Sequence, residues 1–86
     1  MTDTRYIIIG RSTCPFCIHA VDFCVASQIE YIFLDYCENL EILEEKKQFY
    51  NQKTVPIILS NRLEDGLTTR VGGYSDLLKR HKHEQQ

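Results

Sequence analysis

Two cysteines, Cys14 and Cys17 in Cys14-Pro15-Phe16-Cys17, are the residues of this chain best equipped for chemistry. A thiolate is a nucleophile, and a second thiol one helical turn away can close a disulfide on it. The pair follows the apolar run Tyr6-Ile7-Ile8-Ile9 and precedes a helical pattern through Val21, Cys24 and Val25. Two thiols at that spacing, between a strand and a helix, point to thiol–disulfide redox chemistry. Cys14 falls at or just before the helix N-terminus, where unpaired N–H groups and the positive dipole end favour an anion and activate the thiol. Cys17 falls inside the first turn. Pro15 suits the first helical position, where its missing N–H would be unsatisfied anyway. The same pair could be half of a zinc site or two small buried apolar residues. Zinc usually takes four ligands, and no second C-x-x-C exists.

The elements that must position this pair are legible from pattern. Residues 5–10 are β-branched and end in glycine, the pattern of a buried strand. A helix is expected over residues 15–27, with Val21, Cys24, Val25 and Gln28 on one face and Ala20 and Phe23 widening it. Residues 31–34 form a second strand that ends at Asp35, so the two strands are expected to run parallel. A second helix spans 40–50, with Asn39 as N-cap and Leu40, Leu43 and Tyr50 on its apolar face. Its charge run, Glu41, Glu44 and Glu45 before Lys46 and Lys47, reads as a solvated face in the order the helix dipole prefers. Residues 54–59 form a third strand, Asp65-Gly66 signals a turn, and residues 67–71 return as a fourth. A last helix runs from Tyr74 to about Lys82, with Leu77 and Leu78 inward and Ser75 a candidate cap. Residues 80–86 are expected to fray. The order β-α-β-α-β-β-α gives an α/β domain with a four-stranded mixed sheet and helices on both faces.

A chain of 86 residues builds one domain with a small core, and 43% apolar content suffices to pack it. A net charge of −2 gives no indication of a surface for nucleic acid or anionic membrane, and neither partner is expected. No apolar run is long enough to span a bilayer. The first five residues lead only into a short strand and lack a signal-peptide core, so a cytoplasmic location is expected. Thiols are kept reduced there, so Cys14, Cys17, Cys24 and Cys37 are not read as two structural disulfides. Cys24 lies seven residues beyond Cys17, a rise of roughly 10 Å, and reads as a buried apolar residue. Cys37 shares a sheet edge with Cys14, which leaves a regulatory role open. His19 is expected on the surface of the first helix, and His81 and His83 in an inert tail.

Three stretches together resemble one family. Cys14-Pro15-Phe16-Cys17, Thr54-Val55-Pro56 and Gly72-Gly73-Tyr74-Ser75-Asp76 are similar to the active-site, cis-proline and glutathione-binding motifs of dithiol glutaredoxins, closest to the short bacterial and phage type. The resemblance covers nearly the whole chain and implies a thioredoxin-like fold. It implies that Cys14 attacks and Cys17 resolves, with Pro15, Phe16 and Pro56 supporting them. It implies a cis Val55–Pro56 peptide, with Thr54 and Val55 presenting backbone to a substrate strand. Gly72 and Gly73 would let the ligand approach the backbone, and Ser75 and Asp76 would hold the γ-glutamyl end of glutathione. Arg11 would hold the glycine carboxylate and favour the Cys14 thiolate.

The sequence departs from the family in places. Phe16 stands where tyrosine is usual, Ile57 where a polar residue is common, and the segment between Pro56 and Gly72 is longer than in the shortest members. The second-helix contact to glutathione does not map securely, Lys47 being one candidate. The function implied is glutathione-dependent reduction of protein disulfides and protein–glutathione mixed disulfides. The resemblance further implies glutathione as co-substrate with no metal, a monomeric molecule, and ribonucleotide reductase as one family client. Two alternatives are a glutaredoxin-like electron donor reduced by thioredoxin reductase and an iron–sulfur carrier sharing a cluster between two chains.

Overall fold

The computed structural model describes residues 4–84, the side chains of residues 83 and 84 excepted. Seven elements follow in order: β1 (Thr4–Gly10), α1 (Pro15–Ala26), β2 (Tyr31–Asp35), α2 (Leu40–Phe49), β3 (Ile57–Arg62), β4 (Thr68–Gly72) and α3 (Tyr74–Glu84). The sheet order is β2-β1-β3-β4. β1 runs parallel to β2, with Ile8 opposite Phe33, and antiparallel to β3, with Ile8 opposite Ile58. β3 and β4 are antiparallel.

The isoleucine run explains why β1 is central. Successive side chains point to opposite faces, so a strand covered on both sides must be apolar throughout. Tyr6 and Ile8 pack with Ala20, Cys24, Ile58 and Leu77 on the face under α1 and α3. Ile9 packs with Leu43, Ile57 and Leu59 on the face under α2.

Several expected boundaries and faces shift. α1 ends at Ala26 because Gln28 turns left-handed, with φ of 56°. The Gln28 N–H bonds to the Val25 carbonyl at 3.2 Å and the Ile29 N–H to the Cys24 carbonyl at 2.9 Å, a Schellman closure. Gln28 is therefore outside the helix, and Val25, at the edge of the stripe set by Cys17, Ala20 and Cys24, is 59% exposed. Leu40 is also exposed, since Leu43 alone of α2 is buried in the core. Asn39 occupies the N-cap position of α2 but makes no side-chain cap bond. β3 begins after Pro56, which has no N–H to give a ladder, and extends to Arg62. The turn therefore falls after Arg62, where the Arg62 N–H bonds to the Leu67 carbonyl at 2.8 Å and Gly66 takes φ of 75°. α3 continues to Glu84 through residues expected to fray. His81 belongs to the packing there, its ring edge-on to Phe23 at 5.0 Å. The side chain of His83 and residues 85–86 lie outside the described residues.

Candidate active site

Cys14 is the N-cap of α1, with extended backbone (φ −93°, ψ 121°) and Pro15 behind it at the first helical position. Its N–H bonds to the Arg11 carbonyl at 3.1 Å, and its own carbonyl accepts from Cys17 and Ile18, each at 3.1 Å. Its sulfur thus stands at the helix N-terminus. Burial raises the Cys14 pKa, but the N–H and thiol of Cys17, the N–H of Phe16 and the Arg11 guanidinium together outweigh burial and leave it below the ordinary thiol value. The local backbone matters more here than the arginine. Cys17 is fully buried, and burial pushes its thiol up to about 11, against a bond from the Arg11 N–H to its sulfur at 3.5 Å. Cys24, also buried, is pushed up to about 11 by burial alone. All four cysteines are free thiols in this structure.

Two further features fix this loop. A Cβ on Gly10 would fall on the Cys17 sulfur, so only glycine lets β1 pass behind that thiol. The Asp35 carboxylate accepts the Ser12 and Cys37 N–H groups, each at 3.0 Å, tying the dithiol loop to the end of β2. Those bonds hold its carboxyl below the usual range. Cys37 is thereby neighbour to the dithiol loop through Asp35.

Beside the dithiol lies an open cavity of about 640 Å³. Its lining includes Phe16 of α1, the stretch Thr54-Val55-Pro56, and the stretch from Gly72 to Asp76. The Val55–Pro56 peptide is cis. A β-bulge leads into the last of these stretches, since Leu59 pairs with Arg70 but Ile58 pairs with Gly72, leaving Val71 extra. Gly72 then takes φ of 125°, a conformation that favours glycine, and a Cβ there would fall on the Asp76 carboxylate. Asp76 Oδ2 accepts the Gly73 N–H at 2.9 Å, capping α3 from its third position. Asp76 therefore fills the capping role expected of Ser75, which sits exposed one residue before it. Phe16, 57% exposed, meets the rings of His19 and Tyr74 at 6.0 and 6.2 Å, so exposed His19 belongs to the rim.

The cavity gathers Phe16, Thr54, Val55, Pro56, Gly72, Gly73, Ser75 and Asp76; Cys14, Pro15 and Cys17 adjoin it in sequence through Phe16 but are not in its lining, and neither is Arg11. Arg11 lies on the dithiol side, and its Nε is buried and makes no hydrogen bond among the described residues. Lys47 is likewise outside the lining and pairs with Glu44 at 2.9 Å. Sequence reasoning missed Gln52 and Arg70, which do line it. Gln52 is placed by a second Schellman closure, where Asn51 turns left-handed at φ of 53° and the Gln52 N–H bonds to the Lys47 carbonyl at 2.9 Å. Its Nε2 donates to the carbonyls of Thr54 and Pro56 at 3.0 and 2.8 Å, on either side of the cis peptide. Asn51 at the helix end was the available signal for this turn. Among the described residues no cluster of three or more histidine, cysteine or acidic side chains could hold a metal, and no helix is long and apolar enough to cross a membrane.

A nucleophilic thiol at a helix N-terminus, a buried partner one turn on and a cis-proline loop beside them define a thioredoxin-like thiol–disulfide oxidoreductase. The glutaredoxin family model matches residues 6–62, more than half of the 86 residues, and the chain belongs to the glutaredoxin family. Solved structures agree on the fold. A buckwheat glutaredoxin in complex with glutathione superposes with a TM-score of 0.73 at 15% identity, over 94% of this chain and 71% of that one. Glutaredoxin 1 from Francisella tularensis, complexed with cacodylate, gives a TM-score of 0.65 at 21% identity, over 95% and 96%. No curated protein matches the sequence.

Proposed function

We propose that this oxidoreductase is glutathione-dependent, and that it reduces protein–glutathione mixed disulfides and protein disulfides. The observation that carries the reading is the single cavity joining the Val55–Pro56 edge, the Gly72–Gly73 junction and Asp76 beside the dithiol. An extended tripeptide fits such a groove by backbone pairing at Val55, with its ammonium at Asp76 and its α-carboxylate at the N–H groups that open α3. The glycine at position 72, which alone tolerates its backbone and the nearby carboxylate, supports a close ligand approach. The orphaned Arg11 Nε suits an anion on the dithiol side. The structural neighbour solved with glutathione supports the same co-substrate.

The chemistry uses the unequal thiols. The Cys14 thiolate attacks the glutathione sulfur of a mixed disulfide, the S–S bond breaks, and the protein leaves as a thiolate that takes up a proton. A second glutathione thiolate then attacks the glutathione held on Cys14, releasing glutathione disulfide and restoring the Cys14 thiolate. For a protein disulfide, Cys17 gives up its proton and displaces the client from Cys14. The resulting Cys14–Cys17 disulfide is reduced by two glutathiones. Cys17 stays protonated until then because burial holds its pKa near 11.

A monomer working in the cytoplasm, with ribonucleotide reductase among its clients, accords with this reading. The test is a coupled assay with glutathione, glutathione reductase and a small mixed disulfide. Turnover is the expected result. Inactivity there, with turnover supported by thioredoxin reductase, would replace glutathione as the electron source. A brown preparation with cluster absorbance would put the iron–sulfur carrier first.

A further inference from the structure

The mechanism makes no use of Arg70, although it lines the same cavity. Arg70 lies on β4 opposite Leu59, so its side chain leaves the sheet on the α2 face. There its Nη1 donates to Gln52 Oε1 at 3.1 Å. Both Nε2 hydrogens of Gln52 are already committed to the Thr54 and Pro56 carbonyls. The amide orientation is therefore fixed, and only its oxygen can face Arg70. The cis-proline loop thus holds the guanidinium through one glutamine. Both ion pairs found among the described residues join other groups, Lys47 with Glu44 and Arg62 with Asp65. Arg70 is exposed, and a guanidinium has five donors, so its remaining N–H groups are available to a ligand.

We propose that Arg70, positioned by Gln52, is a specificity residue that reads a carboxylate on the disulfide substrate lying along Val55. A planar guanidinium held at one edge suits bidentate recognition of a carboxylate. Arg70 and Asp76 give the groove a cation and an anion on its wall. A chain laid along Val55 is selected for a carboxylate at one and an ammonium at the other. The carboxylate has two sources, glutathione itself or an acidic side chain next to the client's cysteine. The inference deepens the glutathione-dependent reading and rests on it.

The test compares wild type with Arg70→Gln on three substrates: glutathione joined to a small neutral thiol, a glutathionylated peptide with glutamate beside its cysteine, and the same peptide with glutamine there. A lost charge-assisted contact should lower kcat/KM about ten- to a hundredfold, through KM rather than kcat. An equal loss on all three substrates assigns the carboxylate to glutathione. A loss confined to the glutamate peptide assigns it to the client. Either upholds the proposal. Unchanged kinetics on all three, with wild type active, overturns it. If wild type turns over none of them, the glutathione reading is what fails. Arg70 is then read by single-turnover exchange of reduced protein with disulfide-linked dimers of the two peptides. A glutamate preference lost in Arg70→Gln upholds the proposal, and no preference overturns it.

Discussion

The dithiol loop and the groove beside it are built in opposite ways. The loop, residues 10–17, takes its chemistry from neighbours in sequence: N–H groups of Phe16 and Cys17 act on Cys14, and the Arg11 N–H acts on Cys17. The groove is assembled from pieces far apart in the chain, Gln52 to Pro56 from one connection and Arg70 to Asp76 from a bulged strand end. Reactivity is thus local, and recognition is tertiary. Changes in the loop should alter what the sulfur does, whereas changes in the groove should alter what reaches it.

The sharpest break in that division comes from the thiols. Cys14→Ser should abolish all redox turnover, because its serine hydroxyl cannot replace the activated thiolate. Cys17→Ser should keep turnover of glutathionylated substrates and lose most reduction of protein disulfides. Equal inactivity of both variants in the mixed-disulfide assay would contradict the roles assigned to them.

On the groove side, Asp76→Asn keeps an oxygen for the Gly73 N–H but removes the charge facing a ligand ammonium. The apparent affinity for glutathione should fall about ten- to a hundredfold, with a smaller change in maximal rate. Steady-state kinetics against glutathione concentration reads both. A collapse of the maximal rate at unchanged affinity would mean that the groove reaches into the chemistry.

Gly10→Ala tests the seam between the regions, since its methyl would land on the Cys17 sulfur. Overpacking of this kind costs typically about 1–3 kcal/mol. Displacement of Cys17 should also slow closure of the Cys14–Cys17 disulfide, measured by denaturant melts and by quenched oxidation time courses. Unaltered closure would show that Cys17 is not confined by β1.

The pH dependence sharpens the local half. Cys14, below the ordinary thiol value, should alkylate first as pH rises, while Cys17 and Cys24 stay protonated. Arg11→Gln should raise the Cys14 pKa only modestly, because backbone N–H groups contribute more than Arg11. Stability has the opposite dependence. Unfolded Cys17 and Cys24 ionise near 9.0, but the folded thiols hold their protons to about 11. Folding is therefore weakened as pH rises from about 9.0 to 11, by up to about 3 kcal/mol per thiol, and is unaffected by them below that window. Thermal melts of the reduced protein across that range check the sign.

The smallest effect is expected at the remote hairpin. Gly66 has φ of 75° with open space where a Cβ would stand. Gly66→Ala should cost roughly 1–2 kcal/mol in backbone energy and leave kinetics unchanged. Altered kinetics would tie the hairpin to the site.

The sequence by itself determined the elements and the dithiol. Isoleucines on both sides of β1, Pro15 at the start of α1 and glycine at residue 72 carry their meaning locally, because they act through backbone geometry and hydrophobic period. Helix ends were legible only roughly, since the left-handed turn at Gln28 uses a residue with no strong signature, whereas Asn51 is of a type that favours such a turn. Tertiary structure alone decided the rest. Arg70 reaches the groove because β4 pairs with β3 in one register, and Gln52 because α2 closes where it does. Asp76 is a local exception, capping the Gly73 N–H three residues back while Ser75 sits inside the first turn of α3. A residue's period reports the face it occupies within its own element, but its partner across a groove depends on strands that meet only after the chain has folded.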